Sequence, residues 1–109
     1  MVNQYLYRIQ ATRLEMVTGG PTDEEALVLS EHVNYLKALL SQGVVLVFGR
    51  TQNNDSSTFG IVIFRAESDD MARSIMNNDP AVKKDLMRAE LFPCKVYGLN
   101  NNTSNWTSD

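Results

Sequence analysis

The chain has 109 residues, 43% of them hydrophobic and 21% charged, with a formal net charge of −3. That length suits one domain with its own core, and the balance is that of a globular protein rather than a disordered one. The acidic balance and the lack of any Lys/Arg run argue against nucleic-acid binding, and no apolar run approaches the roughly 20 residues of a membrane helix.

The amino terminus, MVNQYLYRIQ, lacks the apolar core of a secretory signal. With one cysteine, Cys94, the chain has no internal disulfide, and the expected setting is the reducing cytoplasm. Tyr5, Tyr7, Ile9 and Ala11 then alternate with Leu6, Arg8 and Gln10, which is the period of a strand. TRLEMVTGGPT, with its Gly19-Gly20-Pro21, reads as a loop.

A helix starts next. Thr22 and Glu25 have the spacing of a capping box, and Asp23 and Glu24 put negative charge at the positive end of the dipole. Ala26, Leu29, Val33, Leu36 and Leu40, joined by Leu39, recur at three- and four-residue steps, and Gly43 stands where a left-handed terminator belongs. Val44–Phe48 and Gly60–Phe64 are apolar on both faces and joined by the turn-rich QNNDSST, which predicts a hairpin covered on both sides.

Ser68 caps a shorter helix that buries Met71, Ala72, Ile75 and Met76 and stops before Pro80. Ala81 to Met87 suit a short turn or helix, and Phe92 to Leu99 read as the last strand. Residues 1–99 then form a single domain, and 100–109 form a polar tail without period.

The order strand, helix, strand, strand, helix, strand predicts an α+β, ferredoxin-like split β-α-β sandwich, an antiparallel sheet with two helices on one face. Helices cover only that face, yet two strands are apolar on both. A homodimer pairing through the sheet face follows, with two-fold symmetry as the default.

The sequence resembles the YciI-like family. His32, Tyr35-Leu36, Leu39 and Gly43 carry the likeness, with Gly49, Gly60 and the Asn78-Asp79-Pro80 step. The resemblance implies a dimeric α+β barrel and a cleft that uses a histidine and an aspartate, which fall on His32 and Asp79. It also implies small, often ring-derived organic substrates, a dechlorinating lyase-type reaction among them. The chain departs from the pattern at Arg50, where proline commonly follows the strand glycine, at Ala81, where an aromatic is usual, and at Asp85, where a glycine is expected.

His32 is the only histidine. It sits on the flank of the apolar stripe, where an imidazole can move protons or simply fill a partly buried helix position. Asp79 can orient it, or can serve only as the turn device that Asp before Pro often is. A direct contact between them requires the 77–82 segment to fold back. Arg8 and Arg50 are candidate anchors for a substrate anion, or else solvated edge charges. Tyr7 and Tyr35 offer phenolic hydrogen bonds, cleft walls or plain packing.

No metal-ligand spacing and no phosphate loop appears, so neither a metal nor any other cofactor is expected. The functional expectation is acid–base chemistry of lyase or isomerase type on a small anionic or ring-derived compound, with His32 moving the proton. Its rival is a non-catalytic small-molecule-binding or structural dimer. A pocket at His32 with a second polar group in reach favours the first; a ring packed among leucines favours the second.

Overall fold

The structure, a computed structural model, describes residues 2–100. All but the first residue of the expected tail lies outside the described residues. The elements are β1 (Asn3–Ala11), α1 (Glu15–Thr18), α2 (Asp23–Ser41), β2 (Val45–Arg50), β3 (Gly60–Ala66), α3 (Asp69–Asn78), α4 (Pro80–Lys83) and β4 (Met87–Cys94). The strands make one antiparallel sheet in the spatial order β2-β3-β1-β4.

That sheet is not closed into a barrel, which corrects the dimeric α+β barrel implied by the resemblance. Among the described residues β2 and β4 pair on one side only and lie at opposite edges. Closure needs the edge strands to meet, and four strands are too few to curl that far around a packed interior. The fold is an open antiparallel sheet with flanking helices; among the described residues these are the two expected long ones, a short one where the 81–87 segment suits a turn or helix, and the unexpected α1.

Strand alternation fills the core. Tyr5, Tyr7 and Ile9 of β1 point to the helices beside Val62 and Phe64 of β3, and all five are buried. The ring of Phe64 lies 5.6 Å from that of Tyr7 at 75°, an edge-to-face contact. The last strand begins five residues before the expected Phe92, at Met87. Met87, Ala89 and Leu91 supply the inward period, pack against the core and pair with β1. α1 forms inside the expected loop because Met16 finds a buried seat.

The long helix starts as its sequence demands. Thr22 Oγ1 accepts the Glu25 N–H while Glu25 Oε1 accepts the Thr22 N–H, completing the capping box. Arg13 adds a two-pronged ion pair to the same carboxylate, at 2.6 and 2.9 Å. The Arg13 hydrogen bond is the main reason that Glu25 is held down at about 2, with the Thr22 backbone N–H second.

The buried face of α2 differs from the expected stripe. Val33 and Leu40 are exposed, while His32 and Leu36 are buried and Leu29, Tyr35 and Leu39 half-buried. Leu29, His32, Leu36 and Leu39 keep a three-four-three step, so the helix turns its histidine inward. On α3 the same correction applies to Met71, which is exposed, whereas Ala72 and Met76 are buried.

Among the described residues nothing covers the sheet's second face. Ladder partners Val47, Ile63, Leu6 and Phe92 form one apolar row across all four strands. Val47 and Phe92, at the ends of that row, are exposed.

Candidate active site

Whether His32 and Asp79 meet is decided by how the chain leaves α3. The helix ends at Asn78, and Asp79 then caps α4, accepting the Ala81 N–H at 3.0 Å with Pro80 in the first helical turn. Proline suits that position because its missing N–H has no helical partner there anyway. The turn folds residues 79–83 back against α2, where Lys84 Nζ reaches Glu31 at 2.8 Å and the Tyr35 hydroxyl donates to the Ile75 carbonyl at 2.7 Å. Asp85, where the family resemblance calls for glycine, takes a φ of 60°. Aspartate tolerates that left-handed region better than most residues, so the turn survives the replacement.

The fold-back puts Asp79 Oδ1 2.7 Å and Oδ2 2.9 Å from His32 Nδ1. Asp79 is 0% exposed and His32 8%. The Tyr7 hydroxyl donates to Oδ2 at 2.8 Å, so the carboxylate has three donors: an imidazole N–H, a phenol and a backbone amide. An ionised buried carboxylate needs such donors, and as an acceptor it assigns the ring hydrogen to Nδ1. Burial, followed by the charge of Asp79, pushes the Tyr7 hydroxyl far above the usual phenol range. The same two causes in the same order push Tyr35 up to about 12.

The other ring nitrogen is open. Among the described residues nothing hydrogen-bonds Nε2, and no buried side-chain nitrogen or oxygen lacks a partner. Nε2 is therefore accessible, and His32 lines a recess of about 530 Å³. The recess is mostly apolar, walled by Met16, Leu29, Phe48, Phe59 and Met87, with Arg50 as a cation in its lining. Gly60 lies under it, where a Cβ would stand 3.0 Å from Ile9 Cγ1.

The residues singled out in the sequence do not all come together. His32, Asp79 and Tyr7 are joined by direct hydrogen bonds. Arg50 shares the recess with His32. Arg8 lies apart: it is on the uncovered face of the sheet, opposite Glu90, in an exposed 2.6 Å ion pair. Tyr7 and Tyr35 do not line the recess; the Tyr7 hydroxyl is turned toward Asp79 and that of Tyr35 toward Ile75 of α3. The Ala81 amide is the local backbone partner that Asp before Pro announces; sequence reasoning missed the Met16 and Met87 walls. Among the described residues no group of three or more His, Cys, Asp and Glu side chains is placed to hold a metal ion, and no helix is long and apolar enough to cross a membrane.

Residues 5–95 match the YCII-related domain. The chain belongs to the YCII-related family. No curated protein matches it. Among solved structures it is similar to the 5-chloro-2-hydroxyhydroquinone dehydrochlorinase of Burkholderia phenoliruptrix AC1100 in complex with 2,5-dihydroxybenzoquinone. That likeness has a TM-score of 0.60 at 21% identity and covers 84% of this chain and 93% of the other, a likeness of fold. A hydantoinase/carbamoylase-family amidase from Burkholderia phymatum gives 0.39 at 13% identity, covering 87% of this chain and 28% of the other, too weak to carry any argument.

Proposed function

We propose that this YCII-family protein is a small-molecule enzyme in which His32 and Asp79 act as an acid–base pair of lyase or isomerase type. One observation carries the reading: His32 lines an apolar recess and keeps Nε2 free, while Asp79 holds its Nδ1 from a fully buried position. Neutral His32 takes a proton from the substrate through Nε2. The electron pair left behind forms a double bond as a leaving group departs with its own bonding pair; in an isomerisation the pair instead shifts along the molecule and the imidazolium returns the proton to another atom of it. The imidazolium formed lies against the Asp79 carboxylate, which offsets its charge.

The wall composition supports a flat, largely apolar molecule, and Arg50 supports an anionic or enolic oxygen at one end. The similar dehydrochlorinase, whose structure holds a dihydroxybenzoquinone, supports ring-derived polyphenols and quinones as the class to try. Added 2,5-dihydroxybenzoquinone is expected to raise the melting temperature in a concentration-dependent way, because it binds only the native recess. An unchanged melting temperature across this and related hydroxyquinones would count against the substrate class.

The reading includes a homodimer through the uncovered sheet face and a cytoplasmic setting, the latter supported by the lone Cys94. The row Val47, Ile63, Leu6 and Phe92 supports a second copy as the cover, since a stripe spanning the sheet can meet its two-fold mate. Light scattering is expected to give twice the 12.2 kDa chain mass, and Phe92→Asp to return it to the single-chain value. A single-chain mass for the parent protein at micromolar concentration would remove the dimer.

A further inference from the structure

Tyr7, like Asp79, has no access to the recess: it is 0% exposed and absent from the lining. Its ring is fixed in the central strand β1, edge-on to Phe64. Its hydroxyl ends on Asp79 Oδ2, 72 residues away in sequence.

We propose that Tyr7 is a positioning residue for His32, acting through Asp79. A carboxylate turns easily about its last torsion, since that sp³–sp² bond has broad wells. Here the two oxygens are held separately, Oδ1 by the Ala81 N–H at 3.0 Å and Oδ2 by the Tyr7 hydroxyl at 2.8 Å. The carboxylate plane is thereby set, and His32 Nδ1 sits across both oxygens at 2.7 and 2.9 Å, which leaves Nε2 unbonded on a ring that lines the recess. The amide alone fixes one oxygen; the phenol fixes the other.

The same hydrogen bond tunes the ring. A donor on Asp79 stabilises the carboxylate more when the imidazole is neutral than when an imidazolium already draws on that charge. Tyr7 therefore favours the neutral ring, the form that accepts a proton. The other titratable or charged groups around the pair are Tyr35 on α2, Arg50 on β2, and the Glu31–Lys84 ion pair joining α2 to the end of α4. None of these is a hydrogen-bond partner of Asp79; its donors are His32, Tyr7 and Ala81.

This inference deepens the proposed acid–base role of His32, but its test needs no substrate. Because His32 is the only histidine, its ring carbon–proton resonance can be titrated without assignment. Tyr7→Phe, with folding checked by circular dichroism, is expected to raise the titration midpoint by roughly 0.5–1 unit, the share of one hydrogen bond to a charged group. Tyr35→Phe, which removes a hydroxyl bonded to Ile75, is expected to leave it unmoved. Replacing all tyrosines by 3-fluorotyrosine makes the donor more acidic without removing it and is expected to lower the midpoint. A midpoint unmoved by Tyr7→Phe and by fluorination, or moved equally by Tyr35→Phe, overturns the proposal. Absence of turnover on any compound would instead count against the proposed function alone.

Discussion

Asp79→Ala is expected to lower the melting temperature by roughly 12 °C or more. The carboxylate is fully buried and accepts three hydrogen bonds, from His32 Nδ1, the Tyr7 hydroxyl and the Ala81 N–H. Truncation strands three donors around a side chain with no exposure to solvent. Losing one partner of a buried, hydrogen-bonded charged network typically destabilises by about 3–5 kcal/mol, and for a domain of this size each kcal/mol shifts the midpoint by about 4–8 °C. The cap of α4 goes at the same time, which loosens the chain that closes α3 against α2. Asp79→Asn keeps the shape and two acceptor lone pairs but turns an N–H₂ toward a donor, so a smaller fall is expected. Thermal melts followed by circular dichroism separate the two. A fall below about 4 °C for Asp79→Ala would mean that the carboxylate is not a structural hub.

Dependence on one buried carboxylate also explains what could and could not be read from the sequence. Local chemistry is legible. Thr22 and Glu25 declare a capping box that forms as spaced, and Ser68 caps α3 by accepting the Met71 N–H. Alternation in Tyr5–Ile9 identifies the buried face of β1. The buried face of α2 escapes a search for apolar residues because its central member is His32; counting only leucines and valines rotates the stripe onto Val33 and Leu40, which are exposed. β4 is mistaken for a later segment because the charged Arg88 and Glu90 separate its inward residues, Met87, Ala89 and Leu91, and the conspicuous Phe92 faces out.

Long-range contacts are a different matter. Tyr7 meets Asp79 across 72 positions and His32 meets it across 47, and no spacing encodes either. The His32–Asp79 contact turns on a four-residue helix, Pro80–Lys83, too short to show a period. Asp-Pro announces a turn but not its direction. The open sheet has the same origin: doubly apolar strands say that a face wants cover, but edge pairing is a property of the whole sheet.

His32→Gln is expected to lower the rate of proton transfer by roughly 10²–10⁴-fold, the usual contribution of a placed general base. Glutamine suits the interior of α2 and keeps a polar group beside Asp79, so the fold is expected to survive with only a modest drop in melting temperature. It has no site that accepts and releases a proton near neutrality. Arg50 and the apolar walls remain, so ligand affinity should change little and the loss should fall on kcat rather than KM. Chloride release from a chlorinated hydroxyhydroquinone, the substrate type of the similar dehydrochlorinase, provides one readout, and exchange of substrate hydrogen with deuterated solvent provides another. A variant with unchanged kcat would remove His32 from the chemistry and leave the recess as a binding pocket. Equal losses in affinity and rate, with a collapsed melting temperature, would instead assign the imidazole to holding Asp79 in place.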